Sequence, residues 1–207
     1  MISKVQGLYA ITIDGSDSIV SDTEQALLGG VKIVQYRDKS HNIQKRLQQG
    51  SALKNLCDRF SACFIVNDDL SLALELDACG LHIGQDDGDV QAIKASLGNK
   101  ILGVSCYNSL DKALVAQDAG ADYVAFGRFF PSTTKPDAIQ ANIDLISRAK
   151  STLEVPVVAI GGITTKNASL LIDAGVDAIA VIDGLFRQAD IKATAGKFKD
   201  LFRETLI

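Results

Sequence analysis

Apolar and polar positions along this chain switch between two periods. Short runs of strand-like length and composition fall at residues 7–13, 31–36, 62–66, 80–83, 101–104, 122–126, 156–160 and 177–182. The stretches between them change to helical spacing, as in Ile43, Leu47, Leu53, Leu56 and Phe60, or Ala168, Leu171, Ile172 and Ala174. They are too long for hairpin turns, and regular alternation of strand and helix predicts parallel strands.

A short repeat supports this reading. Asp118-Ala119-Gly120-Ala121-Asp122 precedes Tyr123-Val124-Ala125, and Asp173-Ala174-Gly175-Val176-Asp177 precedes Ala178-Ile179-Ala180. In each copy Gly suits the left-handed position that ends a helix, and the apolar run after it starts a strand. Gly29-Gly30-Val31 and Cys79-Gly80-Leu81 read as poorer copies. Eight similar units in 207 residues, with no G-x-G-x-x-G after the first strand, predict an α/β fold closed as a (β/α)8 TIM barrel rather than an open doubly wound sheet. No linker or shift of composition divides the sequence, so residues 1–207 are expected to form one domain.

Apolar residues make up 47% of the chain, enough for a substantial core. A net charge of −4, with no basic stripe, argues against nucleic acid as a partner. No stretch approaches transmembrane length and the first residues carry no signal-peptide pattern, so a cytoplasmic protein without a membrane partner is expected. Cys57, Cys63, Cys79 and Cys106 form no C-x-x-C pair and read as buried free thiols; Cys106 follows a strand end, but no nearby His supports a nucleophile. The oligomeric state, a homo-oligomer included, stays open.

Chemistry gathers where the apolar runs stop. Gln35, Arg37 and Lys39 alternate at the end of the second run, which points an amide and two cations to one side; a solvated strand end with Arg37 paired to Asp38 fits equally. Asn67-Asp68-Asp69 and Gln85-Asp86-Asp87 bring acids to neighbouring loops, either as Mg²⁺ ligands or, at Asp69 and Asp87, as helix caps. His82 lies within its strand and reads as packed. Ser132-Thr133-Thr134-Lys135, between prolines, suits a phosphate-binding lid or a solvated turn. Gly161-Gly162, with Thr164-Thr165 opening a helix, and Asp183-Gly184 follow the seventh and eighth runs, where barrels often hold phosphate; tight turns are the plainer account.

Taken in order, Gln35-Tyr36-Arg37-Asp38-Lys39, Asn67-Asp68, His82-Ile83-Gly84-Gln85-Asp86-Asp87, Gly103-Val104-Ser105, Pro131-Ser132-Thr133-Thr134-Lys135 and Ala159-Ile160-Gly161-Gly162-Ile163 resemble the thiamine-phosphate synthase family from about Gly7 to Leu185. The resemblance implies a transferase. It would join 4-amino-2-methyl-5-hydroxymethylpyrimidine diphosphate to a thiazole phosphate, or its carboxylated form, giving thiamine phosphate and pyrophosphate. It also implies that the pyrimidine diphosphate contacts Gln35, Tyr36, Arg37, Asp38, Lys39, Asn67, Ser105 and Lys135. Ser132, Thr133, Thr134, Gly162, Ile182 and Asp183 would face the thiazole phosphate, and Asp68 and Asp87 match ligands of one Mg²⁺ per subunit. Arg37, Lys39, Lys135 and Ser105 are the implied catalytic side chains.

Three residues depart from the family pattern. Ser132 stands at a usual Thr, Tyr107 at a usual His and Asp183 at a usual Ser. An inward carboxylate at Asp183 would repel a phosphate dianion, so it is expected to turn away and leave a backbone N–H contact. Two alternatives remain at this stage: a thiazole tautomerase on the same barrel, and a catalytically silent barrel that senses thiamine phosphate.

Overall fold

Eight parallel strands close into a barrel in simple chain order in the computed structural model, which describes residues 5–84, 88–131 and 139–204. The strands are β1 (Gly7–Ile11), β2 (Ile33–Tyr36), β3 (Cys63–Asn67), β4 (Gly80–Ile83), β5 (Ile101–Tyr107), β6 (Tyr123–Phe126), β7 (Val157–Ile160) and β8 (Ala178–Val181). Around them lie α1 (Ile19–Leu28), α2 (Ile43–Arg59), α3 (Leu70–Glu75), α4 (Val90–Leu97), α5 (Leu110–Asp118), α6 (Asp144–Thr152), α7 (Ala168–Asp173), α8 (Asp183–Phe186) and α9 (Ile191–Glu204). Every predicted strand is present. β5 runs on to Tyr107 through an irregular register against β6, which carries Ser105 and Tyr107 up to the rim. β1 stops earlier than its apolar run, at Ile11.

Period-two alternation divides the apolar side chains between two cores. Outward residues such as Val34, Phe64, Val66, Leu102, Val124 and Ile179 pack against the helices, while Tyr9, Ile33, Ile65, Tyr123 and Val158 fill the barrel interior. Helix ends follow local chemistry. Asn42, Asp69, Asp89 and Ser109 cap α2, α3, α4 and α5 through their side-chain oxygens. The buried stripe of α2 excludes Ile43, which is 79% exposed and so does not belong to the helical period assigned to it.

The repeat has a physical basis. Gly120 and Gly175 adopt φ of 97° and 96° just past α5 and α7, the left-handed geometry that ends a helix. Asp122 and Asp177 each accept a 2.7 Å hydrogen bond from a preceding strand, at Leu102 N and Val157 N, and pair with Lys94 and Lys150. Cys79-Gly80-Leu81 departs from this pattern: Asp77 takes the left-handed position, at φ 47°, and Gly80 opens β4. A Cβ on Gly80 would lie 2.3 Å from the Ile101 carbonyl oxygen, so close strand packing explains that glycine.

Candidate active site

The C-terminal ends of the strands surround a cavity of about 860 Å³. Inward positions supply its floor: Gln35 from β2, Asn67 from β3, His82 from β4, Ser105 from β5, Ala125 from β6 and Ala180 from β8. Among the described residues, Arg37, Lys39, Arg128 and Arg187 bring four cations to the lining against the two acids Asp68 and Asp183. The described part of the mouth is therefore cationic in a chain whose net charge is −4, which favours anionic ligands there.

On the β2 side, Thr12 fixes the backbone that carries the cations. Its buried hydroxyl accepts from Arg37 N at 2.9 Å, and Asp14 accepts from Lys39 N at 3.1 Å. The Arg37 guanidinium lies 3.8 Å from Asp14 and is 23% exposed. Lys39 pairs with Asp68, which also accepts from Asn67 Nδ2 at 2.5 Å. Burial alone would raise the pKa of Asp68, but Lys39, His82 and Asn67 outweigh it and hold the carboxyl below its ordinary value. Asp69 is committed elsewhere, capping α3 and pairing with Arg46 at 2.8 Å.

Two expected contacts do not reach the mouth through their side chains. Tyr36 alternates to the outer face, where its ring stacks on Phe64 at 6.5 Å and its hydroxyl donates to Gln49 at 3.1 Å. The Asp38 carboxylate is 2% exposed, 3.2 Å from Lys45, and accepts from Ser40 N at 2.7 Å. It orders the loop into α2. Asp87, Ser132, Thr133, Thr134 and Lys135 lie outside the described residues, with Gln85 and Asp86.

A line of hydrogen bonds crosses the barrel beneath the mouth. Gln35 Nε2 donates to the Tyr9 hydroxyl at 2.8 Å, and that hydroxyl lies 2.8 Å from the Tyr123 hydroxyl. Tyr123 is 2.9 Å from His82 Nδ1, and His82 Nε2 is 2.9 Å from Ser105 Oγ. His82 is packed, as its place within a strand suggested, with its ring stacked on Tyr123. Gly103 makes room for this line, because a Cβ there would lie 2.0 Å from Tyr123 Cζ. Gly103→Ala is expected to destabilise the fold by about 1–3 kcal/mol through overpacking, read as a lowered unfolding midpoint; an unchanged midpoint would mean that Tyr123 shifts freely.

Across the barrel, Gly161 and Gly162 turn at φ of 105° and 65° after β7, where an L side chain would be strained. Gly162, Ile182 and Asp183 all line the cavity. Thr164-Thr165 does not open a helix: Thr164 N donates to Asn167 Oδ1 at 2.8 Å, and α7 begins at Ala168. Asp183 opens α8 and stays at the mouth, its carboxylate accepting from Arg187 Nε one turn on at 2.9 Å. The carboxylate thus has a cation beside it. Arg128 and Arg187 were missed from sequence because neither lies within a motif, and only the closed barrel brings them to the rim.

Among the described residues no cysteine lines the cavity. Cys106 is buried on the outer face, and burial pushes its pKa up to about 12. All four cysteines are free, with Cys79 exposed rather than buried. Among the described residues no helix is long and apolar enough to cross a membrane.

A closed parallel barrel that opens a cationic mouth at its C-terminal rim is the form of a barrel enzyme acting on phosphorylated substrates. The family described as thiamine monophosphate synthase matches residues 8–185. Thiamine-phosphate synthase of Nitrosococcus oceani is 46% identical over 206 residues, covering 98% of this chain and 95% of its own. That of Methylobacillus flagellatus is 51% identical over 201 residues, 96% of each chain. The solved structure of thiamine phosphate pyrophosphorylase from Pyrococcus furiosus superposes with a TM-score of 0.89 at 32% identity, over 98% of both chains. The chain belongs to the thiamine monophosphate synthase family, and its activity class is that of a transferase. These relatives support a synthase over a tautomerase or a silent barrel.

Proposed function

We propose that the chain joins 4-amino-2-methyl-5-hydroxymethylpyrimidine diphosphate to thiazole phosphate, or its carboxylated form, and releases thiamine phosphate and pyrophosphate in the cytoplasm. The observation that carries this reading is the division of the mouth. Arg37, Lys39 and Asp68 stand at the ends of β2 and β3, while the glycine turn and Asp183–Arg187 stand at β7 and β8. One side suits a diphosphate and the other a phosphate, with Gln35 and Ser105 in the floor between them.

The reaction needs no protein nucleophile. The bond from the pyrimidine methylene to oxygen breaks, its electron pair leaves with the diphosphate, and the aminopyrimidine spreads the positive charge left on carbon. The thiazole nitrogen then donates its lone pair to that carbon. With the carboxylated thiazole, carbon dioxide also departs. Arg37, Lys39 and Lys135 stabilise negative charge growing on the diphosphate, the kind of fixed electrostatics that dominates many enzymes. Gln35, Asn67 and Ser105 hold the pyrimidine so that the thiazole meets the open face.

The ionised Asp68 carboxylate at the mouth suits a hard cation, and we assign it, with Asp87, to one Mg²⁺. Mg²⁺ would neutralise charge on the departing diphosphate. Ser132, Thr133, Thr134, Gly162, Ile182 and Asp183 would face the thiazole phosphate. Arg187→Ala is expected to raise the KM for thiazole phosphate about fivefold, the scale of an exposed and screened pair, by removing the guanidinium that pairs with Asp183. Steady-state kinetics at low and high salt check this, and an unchanged KM at low salt contradicts it.

The reading is tested with purified chain, both substrates, and Mg²⁺ or a chelator. Thiamine phosphate formed only with Mg²⁺ supports it. Tight binding of thiamine phosphate without turnover would favour a sensor.

A further inference from the structure

The geometry points to Tyr9 and Tyr123 as positioning residues that fix which hydrogen-bonding face the floor shows to the pyrimidine, and thereby select a 4-aminopyrimidine over its 4-oxo analogue. The inference rests on the synthase reading and goes beyond it, because neither tyrosine is among the residues assigned to a substrate. Tyr9 and Tyr123 are 1% and 0% exposed, inside the barrel below the mouth. Burial pushes both phenols above their ordinary range, so each keeps its single proton.

A hydroxyl with one proton can donate only once, so pairing every proton in a line of such groups makes all its bonds run one way. Gln35 Nε2 donates to Tyr9. The other three contacts can run either way, and every proton in the line is paired only if they follow Gln35, with Tyr9 donating to Tyr123, Tyr123 to His82 Nδ1, and His82 Nε2–H to Ser105 Oγ. The two ends of this line share the cavity. Gln35 is left to present its carbonyl oxygen and Ser105 to present its O–H. An acceptor and a donor set apart in this way match an exocyclic amino group and a ring nitrogen of an aminopyrimidine. Reversing Gln35 to suit a 4-oxo ring would require every bond in the line to reverse or leave a buried polar group unpaired.

Tyr9→Phe and Tyr123→Phe keep the rings and remove the link. Each is expected to raise the KM for the aminopyrimidine diphosphate about tenfold and to lower the preference for it over the 4-oxo pyrimidine diphosphate about tenfold, the scale of one lost hydrogen bond. The KM for thiazole phosphate stays unchanged. The double variant is expected to be no worse than either single one, because both break the same line. Wild-type preference in both single variants, or additive losses in the double variant, would overturn the proposal.

A measurement on the unmodified protein guards against variants that fail to fold. Nitrogen-15 NMR of its two histidines should show His82 with a proton on Nε2 and a bare Nδ1; a proton on Nδ1 would overturn the assigned direction. Wild-type protein that does not turn over the aminopyrimidine diphosphate would overturn the synthase reading and this proposal with it. Normal wild-type turnover with insensitive variants would overturn this proposal alone.

Discussion

Arg37→Ala is expected to cut turnover by about 10²- to 10³-fold, the typical cost of removing one donor aimed at charge that develops in a transition state, while leaving the unfolding midpoint near that of the wild type. The second half follows from how the side chain is held. Its guanidinium meets Asp14 at 3.8 Å at the rim, a partly exposed pair of little weight in stability. The Thr12 bond that shapes the loop goes to the Arg37 backbone N–H and survives the substitution. Arg37→Lys should recover only part of the loss, since an ammonium cannot offer the planar fork that suits phosphate oxygens. Stopped assays of pyrophosphate release, with thermal unfolding alongside, decide the matter. Near-wild-type release by Arg37→Ala would remove the residue from the chemistry.

Asp68→Asn is expected to lose turnover to a similar extent and to need far more Mg²⁺ for what remains, because a neutral amide is a poor ligand for a hard cation. Asn is the better probe than Ala. Asp68 sits at φ 62°, which Asn tolerates and Ala resists, so Asp68→Ala would mix backbone strain with the loss of charge. The substitution also frees Lys39 from its partner and lets its ammonium reach the diphosphate, so any drop is a lower bound on the weight of the carboxylate. Titration of turnover against Mg²⁺ gives the readout. A wild-type Mg²⁺ curve in Asp68→Asn would show that the cation is held elsewhere.

Much of the barrel was legible in the sequence because parallel strands and amphipathic helices write different periods into it, and all eight strands stand where the apolar runs placed them. The ends were less legible. β5 extends to Tyr107 because a register irregularity, not hydropathy, carries it to the rim. At the site, alternation correctly brought Gln35, Arg37 and Lys39 to one side, and the same alternation sends Tyr36 outward, a consequence that the motif as a block concealed. Asp38 belongs to the loop because Lys45 and Ser40, neither of them in the motif, claim its carboxylate.

The polar floor was the least legible part. Tyr9 and Tyr123 lie in strands where aromatic residues are ordinary core, and only closure of the barrel brings their hydroxyls within 2.8 Å. Arg187 escaped notice because it lies just past the four-residue α8, where it pairs with Asp183 one turn back. The pairing also recasts the Asp at a usual Ser position, since the carboxylate arrives with its own cation.

The most direct test of the central claim measures thiamine phosphate and pyrophosphate together, from purified chain given Mg²⁺ and each substrate alone or both. Equal amounts of the two products, formed only when both substrates are present, are the predicted result. Folded protein that forms neither product, or that releases pyrophosphate without forming thiamine phosphate, would contradict the account.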